Sequence, residues 1–320
     1  MGLYLLRRLI QIIPMLLGIG TLTFLLIHFA PGDPIVALSG EFSTAEYQRE
    51  MKAYYGLDRP LWQQYGRYII NVLGGDFGRS YYYKQPVTIV ILERLPSTLL
   101  LVIPSLVLSS GLGIWLGALS AQKRRSLSDF GITTTALVSY AIPIFWFAQL
   151  LLLLFAVQLD WFPVQGMRDV RANYSSWRLW LDVAYHMTLP VITMTSQQLA
   201  LILVLTRAGL DNELQQDYVR TARSKGLAER QVLRYHALRN ALLPVVTVIG
   251  GRIGFLFAGA VLTETVFAWP GLGRLVLSAS LNRDHPLILG LFLFISLAVL
   301  LSNLITDLLY AWLDPRIRYT

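Results

Sequence analysis

The chain contains no cysteine among its 320 residues. A disulfide framework, a thiolate metal site and a cysteine nucleophile are therefore excluded. Because cysteine usage is the sequence's main indicator of redox compartment, that compartment stays undetermined.

Signatures of several enzyme classes are also missing. There is no Gly-Lys dipeptide, so the chain lacks the GxxxxGK[ST] loop that cradles nucleotide phosphates. The four histidines are scattered, with no i, i+4 pair and no HExxH, which argues against a metal site on a helix. No GxSxG elbow of a serine hydrolase is present. We expect a non-catalytic chain with no cofactor and no metal ligands of its own.

Charge is scarce, since only 14% of the residues are charged whereas 55% are hydrophobic. The charges occur in clusters, unlike the even spread on a soluble surface. Six apolar runs are long enough for a helix to cross a bilayer core, which takes about 20 residues. These runs are approximately 9–30, 95–121, 130–159, 187–206, 241–263 and 286–306, and five of them contain no Asp, Glu, Lys or Arg. The sequence therefore predicts an all-α integral membrane protein with six transmembrane helices.

The distribution of Lys and Arg predicts the orientation. Fourteen of the 27 basic residues fall on one side of the six runs, with seven acids, whereas the other side has twelve of each. The side with the excess is expected to be cytoplasmic, which places both termini and the segment 207–240 inside the cell. Arg252 inside the fifth run supplies the remaining charge of the net +8, so topology explains the basicity and nucleic acid is not an expected partner.

The predicted organisation has four parts. Residues 1–30 form the cytoplasmic N-terminus and the first span, which lacks a signal-peptide cleavage site. Residues 31–94 form an outer segment with two short helices: one capped by Ser43 to Glu46 and stopped at Gly56, the other capped by Asp58 and ending at Gly74. Residues 95–313 form a core with five spans and the cytoplasmic loop 207–240, and residues 314–320 form a cytoplasmic tail.

Polar residues within the spans are the candidates for a translocation pathway. Arg252 lies near the centre of a span, where a charge costs about 2.5–3.5 kcal/mol on insertion scales, so it faces either protein or water. It either attracts a substrate carboxylate or is satisfied by a neighbouring helix. Gln197 and Gln198 either line a path or bond across helices. Glu264, about 18 Å from Arg252 along a helix, is expected to cap or tie down the outer loop.

The segment 207–240, here called the basic loop, joins the fourth and fifth spans. Between residues 217 and 240 it carries six Lys and Arg residues against two acids. Tyr218, Ala222 and Gly226 recur at helical spacing, and Gly226 is expected to separate two short helices. Such a compact knob is suited to transmit force from a soluble partner to both spans. The alternative is a solvated loop whose arginines only set topology or touch anionic lipid.

The basic loop resembles the cytoplasmic "EAA" loop of bacterial ABC importer permeases. The family pattern is Glu-Ala-Ala, three residues, Gly, nine residues, then Ile-x-Leu-Pro. Here Arg220, Thr221 and Ala222 occupy the first three places, Gly226 the glycine, and His236 to Arg239 the end. Arg220, Thr221, His236 and Arg239 depart from the general pattern.

These departures resemble the form typical of dipeptide, oligopeptide and nickel permeases, in which YxRTARxKGL is followed by HALRNALLP. Other matching stretches follow in order along nearly the whole chain. They are LRRLxxxIP at the start, HFAPGDP, YGLDRPLWQQY, GDFGRS, IPIFW, TETVFAWPGLGR and finally DLLYAWLDPRIR. The chain is thus identified as similar to the subunit of this family with a large outer segment between its first two spans.

The resemblance implies a type I ABC importer permease fold and a non-catalytic role. A paralogous six-span permease would complete the pore as a heterodimer, two ABC ATPase subunits would bind ATP and magnesium, and an extracytoplasmic solute-binding protein would deliver substrate. The residues implied in ATPase coupling are Tyr218, Arg220, Thr221, Ala222, Lys225, Gly226, Leu227, His236 and Arg239.

The resemblance leaves the substrate open. A di- or oligopeptide is the leading expectation, and a nickel chelate, glutathione or another small solute is the alternative within the same machinery. From a different class, a stand-alone channel or secondary transporter would need central ionisable residues, and only Arg252 meets that requirement. The expected location is the bacterial cytoplasmic membrane.

Overall fold

The structure, a computed structural model, describes residues 2–29, 35, 44–172, 174–175 and 177–313. These residues form helices and turns, with one isolated bridge between Arg79 and Pro86 and no strand among them. The helices are α1 Gly2–Phe29, α2 Ala45–Tyr55, α3 Leu61–Leu73, α4 Val87–Gln122, α5 Leu127–Ala141, α6 Ile144–Leu151, α7 Trp177–Glu213, α8 Asp217–Ser224, α9 Glu229–Gln231, α10 Leu238–Gly251, α11 Ile253–Val266, α12 Leu272–Leu281 and α13 His285–Leu313. Two π-helical stretches, Leu152–Gln158 and Val232–Ala237, continue α6 and α9.

Four helices of the described chain are long and apolar enough to cross a membrane. They contain the stretches Ile10–Phe29, Val87–Gln122, Trp177–Glu213 and His285–Leu308. A fifth candidate span passes the same test only when two helical segments are taken together. These segments are α5 and α6 with its π-helical continuation, and the chain bends by 104° between them. The predicted run 241–263 is divided by a turn at Arg252 into α10 and α11. The all-α prediction is confirmed, but the third and fifth predicted spans are not single continuous helices.

The bend between α5 and α6 follows from the sequence Ile142-Pro143. Proline has no backbone N–H, so the helical bond that position 143 would donate to the carbonyl of Ser139 cannot form. The residue before a proline is also driven out of the helical region, and Ile142 has φ −77° and ψ 128°. A helix that breaks here leaves carbonyl groups that need other donors.

The two helices predicted in the segment 31–94 are present as α2 and α3. Thr44 caps α2 by accepting a bond from the backbone N–H of Tyr47 at 3.3 Å, while Ser43 lies outside the described residues. Gly56 ends α2 with φ +68°, and Gly74 ends α3, both as predicted. The capping role predicted for Asp58 is wrong: Pro60 precedes α3, so Asp58 lies too far back to reach its first N–H groups.

The chain divides into two compact units, residues 1–97 with 270–300 and residues 98–269 with 301–320. In the first unit, a fully buried carboxylate ties a loop to the start of α13. Asp284 accepts bonds from Ser80 Oγ at 2.5 Å and from the backbone N–H groups of Tyr81 and Tyr82 at 3.1 Å. The loop 80–82 is thereby fixed without regular secondary structure.

In the second unit, glycines bring long helices into close contact. A Cβ atom on Gly113 would lie 2.8 Å from the Ile202 side chain, and one on Gly117 would lie 2.7 Å from the carbonyl oxygen of Leu203. Small residues four apart in a span predict a close approach of helices in a membrane, and the structure confirms this approach for Gly113 and Gly117 between α4 and α7. Gly250 of α10 is similarly covered by Thr306 of α13, whose side chain would collide with any Cβ.

Candidate functional site

The basic loop contains two helical pieces that meet at Gly226, as the sequence predicts. The first is α8, Asp217–Ser224, and the second comprises α9 and the π-helical turn Val232–Ala237, which leads into α10. Gly226 has φ +77°, and a Cβ built on it would meet nothing within 4 Å. The position therefore favours glycine for its backbone conformation rather than for lack of space.

The underside of the loop is apolar and buried. Val219, Ala222, Val232 and Ala237 are at most 5% exposed, and they pack in one cluster with residues of α4, α7 and α10. The members contributed by those helices are Ala118, Ala121, Leu210 and Ala241. The loop is thus part of the core of the second unit, because its helices share one hydrophobic cluster with the spans on either side.

The sequence analysis placed Tyr218 at the same helical spacing as Ala222, but in the structure the two side chains differ in burial. Val219, the residue after Tyr218, is buried. The Tyr218 side chain lies at the surface, where its hydroxyl makes hydrogen bonds. That hydroxyl donates to a carboxylate oxygen of Glu213 and accepts from Asn240 Nδ2 at 3.2 Å. Partial burial and the hydrogen bond to Glu213 raise the pKa of Tyr218, so its hydroxyl stays protonated at neutral pH. Tyr218 therefore links the end of α7 to α8 and α10.

A second link closes the bend at Gly226. Arg223 on α8 donates two bonds to Glu229 on α9, at 3.1 Å from Nε and 2.6 Å from Nη2. This fork geometry is the strong form of an arginine–carboxylate pair. The hydrogen bonds from Arg223 lower the pKa of the Glu229 carboxyl, and the same pairing raises the pKa of Arg223. The bend is thus held by a pair that bridges both sides of the glycine.

The outward face of the loop is basic. The side chain of Arg220 is 72% exposed, and its guanidinium lies 3.5 Å from Asp217, which is 96% exposed. The other predicted coupling residues on this face are also exposed, namely Thr221, Lys225, Gly226, Leu227, His236 and Arg239. Ala222 is the exception, because it belongs to the buried underside. The face therefore presents several cations together with the apolar side chain of Leu227.

An ion pair that the sequence analysis did not single out lies beside the loop in the same unit. Asp129, in the first turn of α5, is 5% exposed and receives two bonds from Arg207 of α7, at 2.7 and 2.8 Å. Its carboxylate also accepts bonds from Ser120 Oγ and from the backbone N–H of Arg125. The pair fastens α5 and the end of α4 to the beginning of the basic loop. The sequence did contain one signal for this pair, because Asp129 and Arg207 both lie at the predicted cytoplasmic ends of their spans.

Gln197 is placed at the broken third span. Its side-chain amide donates to the carbonyl of Ile142 at 2.8 Å and lies 3.5 Å from the carbonyl of Ser139. These are the carbonyl groups that the Ile142-Pro143 break deprives of helical donors. The geometry assigns Gln197 to holding this bend.

Gln198, the neighbouring candidate, has a different environment. It is 6% exposed, and its Oε1 has no hydrogen-bond partner among the described residues. Thr195 and Thr206 on the same helix also have buried hydroxyls without a described partner. Buried polar atoms normally find partners, so α7 carries a set of unsatisfied groups of which the sequence analysis had named only one.

The remaining two candidates lie in α11 and at its start. Glu264 is fully buried, and one carboxylate oxygen accepts a bond from Thr98 Oγ1 of α4 at 2.7 Å. Arg252 is half-buried in the turn between α10 and α11, where its backbone N–H bonds to the carbonyls of Val248 and Ile249 at 3.0 and 3.2 Å. The four polar side chains predicted as pathway candidates do not converge on one cluster among the described contacts.

Comparison with known proteins decides the family. Residues 113–319 match the family described as binding-protein-dependent transport system inner membrane component, and residues 1–102 match the N-terminal component of the same systems. The chain belongs to this family. Full-length relatives include the dipeptide transport system permease protein DppB of Escherichia coli K12, which is 40% identical and covered over 99% of this chain and 98% of its own. The oligopeptide transport system permease protein AppB of Bacillus subtilis is 39% identical over the whole of both chains.

The fold of this permease is also found in a solved transporter. The inward-facing structure of the MetNI methionine ABC transporter matches with a TM-score of 0.57 at 13% identity, covering 70% of this chain and 96% of the other. That likeness concerns the fold alone. The type I ABC importer permease fold predicted from the sequence is thereby confirmed, as is the resemblance to peptide permeases. As an inner membrane component of a binding-protein-dependent system, the permease is a multi-pass membrane protein and a transport subunit.

Proposed function

We propose that the chain is one of two permease subunits of an ATP-driven importer of dipeptides or oligopeptides. Support for the substrate class comes from full-length relatives named as dipeptide and oligopeptide permeases, at 40% and 39% identity. A nickel chelate, glutathione or another small solute is the alternative within the same machinery. A stand-alone channel or secondary transporter does not fit membership in a binding-protein-dependent family.

One observation carries the coupling mechanism: the basic loop is exposed and cationic on one face and continuous with the core on the other. A partner that displaces α8 acts on Val219 and Ala222, which lie in one cluster with Leu210 of α7 and Ala241 of α10. Tyr218 and the Arg223–Glu229 pair keep the loop from deforming under load. Force applied at the loop is therefore passed to two spans together.

The assembly that follows has parts on both sides of the membrane. Two ABC ATPase subunits, which bind ATP and Mg²⁺, hold the basic loop on the cytoplasmic side, where both termini of this chain also lie. A paralogous permease completes the pathway, and a solute-binding protein delivers substrate outside. Closure of the ATPases shifts the permease pair toward the state open to the binding protein, because nucleotide binds the ATPases more tightly in that state.

The four polar pathway candidates differ in whether their side chains already serve contacts within this chain. Gln198 and Arg252 are the better pathway candidates, the first because its Oε1 has no described hydrogen-bond partner and the second because it sits at a break in a span. Gln197 and Glu264 already serve protein contacts, with Ile142 and Thr98 respectively. Substrate or the paralogous permease would supply the partner that Gln198 lacks.

The test exploits the conformation of Gly226. Gly226→Val places a β-branched side chain at φ +77°, which costs roughly 1–2 kcal/mol and distorts the bend. Gly226→Asn is the matched control, because asparagine tolerates this region far better. We expect Gly226→Val to abolish uptake of a labelled dipeptide and retention of the ATPases on the membrane, with permease abundance unchanged. Gly226→Asn should keep most of both.

Two results would count against the proposal. Normal uptake and ATPase retention by Gly226→Val would show that the loop does not couple. If the unmodified transporter takes up a labelled nickel chelate and no dipeptide, the peptide substrate is wrong, while the ATP-driven import mechanism stands.

A further inference from the structure

Two adjacent cavities in the first unit differ in chemistry. The larger, about 430 Å³, is lined almost wholly by apolar side chains of α1, α3, α4 and α13. The smaller, about 270 Å³, has a mixed lining, in which polar and charged side chains from α1, α3, α13 and the neighbouring loops lie beside apolar ones. Tyr68 and Phe77 belong to the walls of both, so the two cavities share a boundary. Together they form an amphipathic space.

The larger cavity opens among lipid-facing side chains. Ile13, Leu73 and Leu92 on its walls are each more than half exposed, and Ile13 and Leu92 lie within stretches able to cross the membrane. Water does not stably fill an apolar cavity, and an empty one forfeits the dispersion contacts of its walls. A bilayer supplies hydrocarbon at this opening, so an acyl chain is the filling that the surroundings provide.

The smaller cavity favours an anion. Among the described residues of its walls, Arg59 and Arg67 stand against one acid, Asp76, which gives a formal net charge of +1 when histidine is counted as neutral. The side chains of Arg59 and Arg67 have no ion-pair or hydrogen-bond partner among the described residues. A phosphate group would satisfy these donors with the geometry that arginine prefers.

The junction between the cavities holds an unsatisfied donor. The hydroxyl of Tyr68 is buried and has no hydrogen-bond partner among the described residues. It lies against Gly20, where an added Cβ would come within 2.9 Å of the hydroxyl oxygen. Burial raises the pKa of Tyr68 to about 12, so the group stays a donor at neutral pH. A buried donor of this kind needs an acceptor, and a lipid ester or phosphate oxygen at the junction would provide one.

We propose that these cavities bind one anionic phospholipid, with an acyl chain in the larger cavity and the phosphate in the smaller one. The lipid joins α1, α3 and α13 and stabilises the position of α3, which has no fully buried residue of its own. The site is independent of which solute the transporter carries. It requires only that the chain lies in a bilayer.

The test is native mass spectrometry of the transporter purified in detergent with all its copurifying subunits. Phosphatidylglycerol or phosphatidylcholine is added back in increments, and one tightly held phosphatidylglycerol per permease is expected. Tyr68→Phe should weaken its binding about fivefold, the factor for one neutral hydrogen bond. This variant separates the proposal from a structural role, because the hydroxyl has no described protein partner to lose.

Two further variants address the two ends of the lipid. Arg67→Gln should lower phosphatidylglycerol binding about fivefold, as expected for one basic residue facing an anionic headgroup, and reduce its preference over phosphatidylcholine. Leu17→Trp, which fills the larger cavity, should remove most of the bound lipid. The matched controls are Arg49→Gln on α2 and Leu26→Trp on α1, since neither position lines either of these two cavities. Both controls should bind lipid as the unmodified chain does.

Three outcomes would overturn the proposal. If Arg67→Gln lowers phosphatidylglycerol binding while Leu17→Trp does not, the headgroup is bound without an acyl chain in the larger cavity. If the isolated permease retains lipid and the assembled transporter does not, a partner chain fills the larger cavity. If the controls lose as much lipid as the cavity variants, the bound lipid is the general annulus around the spans.

Discussion

Two groups of charges in the second unit are arranged in opposite ways. Asp129 is buried, and Arg207, Ser120 and the backbone at Arg125 satisfy its carboxylate. The outward face of the basic loop instead leaves Arg220 and Lys225 exposed, above an underside that is packed into the core. The difference separates two tasks: charges satisfied by this chain hold its helices together, and charges left exposed on a rigid base are available to another chain.

Removing the satisfied charge should have the largest effect on the folded permease. Asp129→Ala leaves Arg207 without its carboxylate, and breaking a buried pair from one side costs about 3–5 kcal/mol. We expect the lower end, because the Arg207 side chain is 30% exposed and can turn toward water. Abundance in the membrane and the thermal midpoint in detergent should both fall, and transport should fall in proportion.

The control for that change is Asp217→Ala, which removes a carboxylate that is 96% exposed. A surface pair of this kind contributes about 0–1 kcal/mol, so abundance should be unchanged. Equal losses of abundance in Asp129→Ala and Asp217→Ala would erase the distinction between the two groups of charges.

A glycine substitution should have an intermediate effect and sharpen the description of the rigid base. In Gly117→Ala, the new methyl group would meet the Leu203 carbonyl oxygen at 2.7 Å, which is backbone and cannot yield easily. Overpacking of this kind costs about 1–3 kcal/mol. Gly111→Ala on the same helix meets nothing within 4 Å and should be neutral. Thermal midpoints of the two variants give the comparison, and identical midpoints would contradict the close packing of α4 on α7.

The smallest effect is expected at the pair that closes the bend. The folded-state pKa of Glu229 is lowered by Arg223, so the pair's contribution is present above the ordinary glutamate pKa near 4.5 and is lost as pH falls through the lowered value. Because both groups are largely exposed, that contribution is at most about 1 kcal/mol. Hydrogen exchange of the loop in Glu229→Gln should exceed that of the unmodified chain at pH 7, and the difference should vanish below the lowered pKa. A difference that persists there would show that the pair is not its source.

The structural features that could be predicted from the sequence were those that depend on short-range sequence patterns. The apolar runs gave the helices, Gly56, Gly74 and Gly226 gave helix ends and a bend, and the spacing of Gly113 and Gly117 gave a helix contact. These features depend on residues close in sequence, whose physical preferences do not need the rest of the fold.

What could not be predicted depended on residues far apart in the chain. Gln197 reaches the carbonyl of Ile142, 55 positions away, and Asp129 pairs with Arg207, 78 positions away. The periodicity of residues along one helix does not predict which distant residues will be in contact. Val219 was missed for a different reason, because Tyr218 beside it fits the same helical spacing and only the packing of α8 decides which of the two is buried.

The central claim is that the basic face of the loop lies inside the cell and is covered by an ATPase subunit. The absence of cysteine makes it directly testable with Arg220→Cys as the only thiol in the chain. A membrane-impermeant maleimide should label this position only from the cytoplasmic side, and labelling should drop at least tenfold when the ATPase subunits are bound. Tyr54→Cys on α2, whose native side chain is 77% exposed, is the reference for labelling from outside. Labelling of Arg220→Cys from outside, or equal labelling with and without the ATPases, would contradict the account.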